Sequence, residues 1–314
     1  MKIEILTLTT LSSDAQKDLE ARFDVHSLQQ AEDPDALLDR VGRNIRGVLT
    51  IGNKPVDAAL LDRLPNLEVV SCASAGYDGI KVKELAQRGI RLGNVSTALE
   101  DDVADTAILL AMAARRDLLR GHDHVVSGKW QEGSYPLLKS FSGGRLGIAG
   151  LGRIGQCVAQ RAEAFGKEIG YTARSAKKEV SARYFDDMAS LAEWSDTLVV
   201  CLPGGEATRD AINAEVLKAL GPQGVLVNVG RGSVVDEAAL IEALTSGAIA
   251  AAGLDVFEGE PTPNPDLVGL PNVTCYPHHA SGTKETRGAM AQMAVDNLAA
   301  VFEGKPMPCE VSLK

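Results

Sequence analysis

The 314-residue sequence has few aromatic residues, no long apolar run and no excess of positive charge. Aromatic residues make up 4% of the chain, and the 42 acidic residues outnumber the 32 lysines and arginines, for a formal net charge of −10. A protein with this charge lacks the broad positive field that attracts nucleic acids and anionic membranes. The composition therefore argues against both partners, and any anionic ligand must be bound by local positive groups.

Long apolar stretches are also missing. The longest, around residues 106–114, is shorter than the about 20 residues that a membrane-spanning helix needs. The first residues read as a strand and show no signal-peptide cleavage pattern. We therefore expect a cytoplasmic protein without a membrane anchor.

Cysteine is scarce. The chain has five cysteines, an odd number, and they are widely spaced: Cys72, Cys157, Cys201, Cys275 and Cys309. A disulfide framework needs paired cysteines and a zinc site needs clustered ligands, so neither is predicted. We expect inert thiols and no bound metal.

Glycine and aliphatic residues, in contrast, are plentiful. The chain has 31 glycines, and 45% of its residues are hydrophobic. This balance is typical of folded proteins in which helices and strands alternate. The length exceeds what one hydrophobic core usually organises, so we expect two domains with a cleft between them.

The first hundred residues alternate between short apolar runs and helical patterns. Predicted strands cover residues 2–8, 47–51 and 67–72, and predicted helices cover 13–22 and 78–88. Continuous apolar runs are typical of strands buried on both faces of a parallel sheet, and the helical spacers suit right-handed crossovers. This part of the chain therefore predicts one parallel α/β domain.

A second α/β series follows a long helix predicted for residues 100–116. The acidic first turn and basic last turn of this helix match the helix dipole. Six predicted strands come after it: residues 145–150, 168–173, 196–202, 224–230, 249–256 and 272–277. Six strands separated by helices are the count of a doubly wound nucleotide-binding sheet.

The last helical pattern, residues 284–302, has no strand of the second series left to cover. We therefore predict that it returns to the first domain, which makes that domain discontinuous. The predicted boundaries are residues 1–98 with 283–314 for a substrate domain, and 99–282 for a nucleotide-binding domain.

A glycine-rich turn, GLGRIG, follows the first strand of the second series and opens a helix. Gly150 permits the tight turn, Gly152 lets a pyrophosphate approach the backbone, and Gly155 lets the helix pack close to the strand. The pattern alone is loose, but its place between a strand and a helix predicts a dinucleotide site.

The residues that follow this turn indicate which dinucleotide binds. In the NAD form, a carboxylate about 20 residues on accepts hydrogen bonds from the ribose hydroxyls. This chain has Arg174 and Ser175 there, with Lys177 and Lys178 close behind. A guanidinium pairs with a phosphate through two hydrogen bonds, whereas a carboxylate would repel it. The sequence therefore predicts a preference for NADPH; the alternative is an exposed basic loop without a ligand.

Three further stretches place ionisable side chains just after predicted strands. They are VNVGRGSVVDE, GLDVFEGEP and YPHHASGTKETR. Ligands bind at the carboxyl ends of strands in open α/β sheets, so Arg231, Glu260 and His278 are expected to converge. A histidine beside a carboxylate is suited to proton transfer near neutral pH, and an arginine is suited to a carboxylate substrate.

These motifs together resemble the D-isomer-specific 2-hydroxyacid dehydrogenase family over nearly the whole chain. GLGRIG, NVGRGSVVDEAAL, GLDVFEGEP and PHHASGT occur in the family's order. DDVADTAI, ALGPQGVLVNVGRG and SGTKETR are most similar to the NADPH-using glyoxylate/hydroxypyruvate reductases and the hydroxyphenylpyruvate reductases. The resemblance implies an α/β fold of two doubly wound parallel-sheet domains, a Rossmann-type cofactor domain and a smaller flavodoxin-like substrate domain.

The resemblance also implies a role for each matching residue. Arg231 would bind the substrate carboxylate and keto oxygen, His278 would be the acid/base, and Glu260 would be its carboxylate partner. The backbone N–H groups of Ala75 and Gly76 would also bind the substrate carboxylate.

The cofactor contacts implied by the family are more numerous, and Asp255 among them would contact the nicotinamide carboxamide. The full predicted set is Gly150, Gly152, Arg153, Ile154, Gly155, Arg174, Ser175, Leu202, Pro203, Val229 and Asp255. The loop from Cys201 departs from the family, which commonly has Cys-Pro-Leu-Thr where this chain has Cys-Leu-Pro-Gly-Gly.

The resemblance further implies a homodimer. Related reductases often close the substrate pocket with an aromatic or apolar residue of the partner subunit, and residues 130–138 are the candidate segment. His279 stands where the family usually has a small or apolar residue, and it is either a bystander or part of the pocket wall.

We therefore expect a NADPH-dependent reductase that converts small 2-keto acids, glyoxylate and hydroxypyruvate, to D-2-hydroxy acids. One alternative is a reductase of bulkier keto acids such as hydroxyphenylpyruvate. Another is a nucleotide-sensing binding protein like the related transcriptional corepressors, which the full set of Arg231, Glu260 and His278 disfavours.

Overall fold

The computed structural model describes residues 2–177 and 180–313. Lys178, one of the lysines behind the predicted phosphate-binding residues, lies outside the described residues. The chain divides into two compact units: the first contains the described residues up to Leu99 and from Ser281 onward, and the second is Glu100–Ala280.

The first unit is built on a five-stranded parallel sheet. Its elements in chain order are β1 (Glu4–Thr7), α1 (Ser13–Arg22), β2 (Asp24–Ser27), α2 (Pro34–Val41), β3 (Gly47–Thr50), α3 (Ala58–Asp62), β4 (Val69–Cys72), α4 (Val82–Arg88) and β5 (Arg91–Gly93). The strand order β2-β1-β3-β4-β5 is that of flavodoxin-like folds. All residues of β3 and β4 are buried, as expected for central strands with helices on both faces.

The second unit is built on a seven-stranded parallel sheet. It begins with α5 (Glu100–Arg115), α6 (Leu118–Val126), β6 (Arg145–Ala149), α7 (Arg153–Glu163), β7 (Glu168–Thr172), β8 (Arg183–Tyr184) and α8 (Met188–Trp194). It continues with β9 (Thr197–Val200), α9 (Ala214–Leu220), β10 (Val225–Asn228), α10 (Glu237–Thr245), β11 (Ala251–Leu254), α11 (Pro265–Val268) and β12 (Val273–Cys275).

The order β12-β11-β10-β9-β6-β7-β8 reverses direction between β6 and β9. This reversal defines a Rossmann sheet, and ligands bind at the carboxyl ends of the strands next to it. The predicted fold class, two doubly wound parallel-sheet α/β units, is confirmed.

The last helix, α12 (Lys284–Phe302), packs on the sheet of the first unit. Ser71 of β4 donates its hydroxyl hydrogen to the Ala294 carbonyl oxygen over 2.8 Å. Asn297 is fully buried; its Nδ2 donates to the Asn94 carbonyl oxygen and its Oδ1 accepts from the Cys309 N–H. The donor and the acceptor of this buried amide are both hydrogen-bonded, which holds α12 in place on that sheet.

Some predicted boundaries differ from the structure. The helix expected over residues 78–88 begins only at Val82. Asp78 and Gly79 form a turn before it, and Ile80 pairs with Val56 in an isolated parallel bridge. No helix among the described residues is long and apolar enough to span a membrane.

Candidate active site

The glycine-rich turn connects β6 to α7 as the sequence predicts. Gly150 has φ of +96°, a conformation that favours glycine, and its N–H donates to the Thr172 carbonyl oxygen at the end of β7. A side chain at Gly155 would overlap the Gly150 carbonyl oxygen. The turn therefore requires glycine at both positions to bring α7 close to the sheet.

The start of α7 fits a dinucleotide pyrophosphate. No side chain caps the helix at Gly152, and a Cβ on Gly152 would meet no atom within 4 Å. Arg153 and Ile154 form the first turn, whose N–H groups have no partner within an α-helix. Helix N-termini of this kind bind anions through their N–H groups and the helix dipole.

Arg174 and Ser175 lie in the loop after β7, next to the glycine-rich turn, because β6 and β7 are paired neighbours. Both residues are exposed. Within residues 2–177 and 180–313, Arg174 forms no ion pair or hydrogen bond. A guanidinium in this state remains available to an incoming phosphate.

Leu202 and Pro203 follow β9, the other strand at the switch point. Leu202 is half-buried and Pro203 is exposed, while the N–H of Val229 donates to the Val200 carbonyl oxygen. Burial raises the pKa of the neighbouring Cys201 thiol to about 12, so this cysteine is no nucleophile near neutral pH. Because β9 pairs with β6, Leu202 and Pro203 lie at the sheet edge that carries the glycine-rich turn.

His278 and Glu260 form the hydrogen-bonded pair expected of an acid/base and its carboxylate partner. Nδ1 of His278 lies 2.6 Å from Oε2 of Glu260, and the other carboxylate oxygen accepts the Phe257 N–H at 2.8 Å. The His278 side chain is 48% exposed. With its Nδ1 proton donated to Glu260, the ring has Nε2 available for proton exchange with a ligand.

Asp255, at the end of β11, holds the segment that carries His278. Its carboxylate oxygens accept the N–H groups of His279 at 2.7 Å and Ala280 at 3.2 Å, and its carbonyl oxygen accepts the His278 N–H at 2.7 Å. Burial raises the pKa of Asp255, and the two N–H donors oppose that shift. Its contact with a nicotinamide carboxamide stays a prediction; its contacts in the structure position His278.

Arg231 follows β10 in a turn that Asn228 stabilises. Asn228 donates its amide hydrogen to the Arg231 carbonyl oxygen over 2.9 Å and accepts the Gly230 N–H. A side chain on the next residue, Gly232, would overlap the backbone of Phe257. Because Phe257 also binds Glu260, the Arg231 turn and the Glu260 loop pack side by side.

Ala75 and Gly76 lie in the loop after β4 of the first unit. The carbonyl oxygen of Ala75 accepts from Asn94 and that of Gly76 accepts from Ser74, so the loop is fixed. Their own N–H groups donate to no acceptor in the described part of the chain. Two such groups suit a carboxylate, and their binding of the substrate carboxylate stays a prediction.

Some contacts in the site do not follow from the sequence motifs. The side chains of Asn228 and Asp255 act on neighbouring backbone, and a motif match assigns no such role. His279 is exposed, with its ring edge-on to Tyr276 at 5.8 Å between centroids. Among the residues that the structure describes, no group of three or more potential ligands could hold a metal ion.

The chain matches proteins of known activity over nearly its whole length. Residues 108–280 match the family model described as D-isomer specific 2-hydroxyacid dehydrogenase, NAD binding domain. The chain is 44% identical to a glyoxylate/hydroxypyruvate reductase A of Arabidopsis thaliana and 43% identical to a hydroxyphenylpyruvate reductase of Plectranthus scutellarioides; each alignment covers 97% of both chains.

The chain is also similar to a solved structure. The NADPH-dependent glyoxylate/hydroxypyruvate reductase of Sinorhizobium meliloti, in complex with NADP and malonate, superposes with a TM-score of 0.91 at 40% identity, over 100% of this chain and 98% of that one. The predicted family and a nicotinamide cofactor are supported by these matches. The chain belongs to the D-isomer specific 2-hydroxyacid dehydrogenase family.

Proposed function

We propose that the protein is an NADPH-dependent reductase of small 2-keto acids, with glyoxylate and hydroxypyruvate as its substrates and D-2-hydroxy acids as its products. The observation that carries the proposal is the 2.6 Å pair of His278 and Glu260 beside the Arg231 turn. Both lie at the carboxyl ends of strands in the sheet that carries the glycine-rich turn.

Each residue then has a chemical task. A bound nicotinamide would supply the hydride for the keto carbon. Nε2 of protonated His278 donates a proton to the carbonyl oxygen as negative charge develops there, and Glu260 compensates the ring charge and fixes its orientation. Arg231 pairs with the substrate carboxylate, a task that the N–H groups of Ala75 and Gly76 also suit.

The preference for NADPH rests on Arg174 and Ser175. No carboxylate stands at the end of β7 to bind the ribose hydroxyls, and Arg174 has no partner among the described residues. The Sinorhizobium meliloti relative is itself described as NADPH-dependent. A 2′-phosphate is the ligand that this exposed guanidinium and hydroxyl would bind.

We also propose that the protein is a homodimer. In the described part of the chain, every exposed large apolar side chain lies between residues 109 and 138, which we call the 109–138 face: Leu109, Met112, Leu118, Leu119, Val125, Val126, Trp130, Leu137 and Leu138. Exposed apolar patches of this kind mark protein interfaces. The face includes the candidate segment, residues 130–138.

A substrate panel tests the proposed activity. Initial rates with NADPH should give the highest kcat/KM for glyoxylate and hydroxypyruvate, and lower values for pyruvate and hydroxyphenylpyruvate. A maximum for hydroxyphenylpyruvate would instead assign the bulky-substrate activity. Binding of NADPH without turnover of any keto acid would favour a nucleotide-sensing protein.

Substitution of Arg231 tests the site itself. We expect Arg231→Ala to lower kcat/KM by about 100-fold or more, equivalent to about 2.7 kcal/mol of transition-state stabilisation. Arg145→Ala is the control, since Arg145 is an exposed arginine at the amino end of β6, the opposite edge of the same sheet. Near-wild-type turnover in Arg231→Ala would refute the assignment.

A further inference from the structure

The loop that carries Arg174 and Ser175 is attached to the sheet by a buried phenol. Tyr171, on β7, is only 1% accessible. Its hydroxyl oxygen accepts the backbone N–H of Lys177 over 2.8 Å, across the loop from the strand end. One hydrogen bond thus closes residues 173–177 into a fixed turn.

A second tyrosine supports the same loop from the next strand. Tyr184 of β8 is the direct pairing partner of Tyr171, and their ring centroids are 5.5 Å apart. The Tyr184 hydroxyl lies 3.4 Å from the Ala173 carbonyl oxygen, at the start of the loop. The longer distance makes this the weaker of the two contacts.

The exposed residues of the loop need such support. An arginine side chain loses conformational entropy when it pairs with a ligand, which weakens binding. Ordering a mobile backbone at the same time would add to this entropic cost. Among the described residues, Arg174 has no partner that would order its side chain before the cofactor binds. The backbone of the loop is the part that the structure holds in place.

We propose that Tyr171 is a positioning residue for cofactor selection: its buried hydroxyl fixes the 173–177 loop so that Arg174 and Ser175 meet the 2′-phosphate. The inference rests on the proposed NADPH preference. It assigns Tyr171 no contact with the cofactor, since the ring is buried and its hydroxyl binds Lys177.

Tyr171→Phe is the direct test, because phenylalanine keeps the ring and removes only the acceptor. A neutral hydrogen bond contributes about 0.5–1.5 kcal/mol, which corresponds to about two- to tenfold in a dissociation constant. We expect the Kd of NADP⁺, measured by calorimetry on the full chain, to rise by about that factor while the Kd of NAD⁺ changes less than about twofold.

A double-mutant cycle shows whether the effect passes through Arg174. Arg174→Ala should raise the NADP⁺ Kd more than the NAD⁺ Kd, and Tyr171→Phe should then have little further effect on their ratio. Ser195→Ala is the control, since it removes a buried hydroxyl that donates to the Leu191 carbonyl oxygen in the same unit, just before β9 and away from the 173–177 loop. We expect that control to leave the ratio unchanged.

The outcomes separate the two proposals. An unchanged ratio in Arg174→Ala would overturn both the NADPH preference and the role of Tyr171. A shifted ratio in Arg174→Ala with an unchanged ratio in Tyr171→Phe would overturn the role of Tyr171 alone. Equal weakening of both cofactors in Tyr171→Phe would also overturn it, since that result indicates a structural role without selection.

Discussion

The side chains of the candidate site differ in how far the sequence predicts them. Arg231, Glu260 and His278 stand in motifs after strands, so their common location follows from the rule that parallel strands present their carboxyl ends at one edge. The part played by Asp255 does not follow from any motif, because it depends on a carboxylate folding back onto the N–H groups of His279 and Ala280. Such contacts form only when the chain folds.

The cysteines offer a test at single positions. Burial raises the pKa of Cys201 to about 12, so at pH 8 only about one Cys201 thiol in 10,000 is ionised. We expect iodoacetamide to label the exposed Cys275 in the native protein and to label Cys201 only after unfolding, as measured by peptide mass spectrometry. Cys275→Ser should remove the label that the native protein takes up at this position. Labelling of Cys201 in the native protein at pH 8 would contradict the prediction.

The raised pKa of Cys201 also makes the free energy of unfolding depend on pH. The folded pKa of Cys201 lies above its ordinary value of 9.0, so the native state is favoured by the protonated thiol below pH 9. That stabilisation is lost as the pH rises from 9 towards 12. Cys201→Ala should therefore lose less stability than the native sequence between pH 9 and 11, measured by urea unfolding.

Some helices agree closely with the sequence prediction, whereas the strands without an apolar run do not. The predicted helices 13–22 and 284–302 coincide with α1 and α12, while the short strands β2, β5 and β8 were missed. These three strands lack the continuous apolar run of the others: β2 reads DVHS and has no fully buried residue, β5 reads RLG, and β8 reads RY. The missed α2 did carry a start signal, since Asp33 caps the helix and Pro34 begins it.

The packing of α7 on β6 predicts opposite results for two glycines. Gly155→Ala should lower the free energy of unfolding by about 1–3 kcal/mol, because its Cβ would overlap backbone at Gly150. Gly152→Ala should leave stability nearly unchanged, since a Cβ there meets no protein atom, yet weaken dinucleotide binding. Urea unfolding and cofactor calorimetry distinguish them, and equal destabilisation by both would contradict this description of the turn.

The proposed assembly of two copies depends on the 109–138 face. Leu137 is fully exposed outside any helix or strand, so Leu137→Asp should not disturb the fold but should weaken an apolar interface. We expect the variant to sediment as a monomer, or with a dimer Kd raised by at least about tenfold. Gln30→Asp, an equally acidic change at an exposed site of the first unit, should remain dimeric. A native chain that sediments as a monomer would refute the dimer.

The position of α12 determines when the first unit can be completed during synthesis. The ribosome makes β1 to β5 first, then all of Glu100–Ala280, and only then the helix that carries Asn297. Until that helix leaves the exit tunnel, β3 and β4 lack one of their covering layers, and the second unit is free to fold earlier. The second unit, whose own segment is continuous, is thus the one that a nascent chain can finish first.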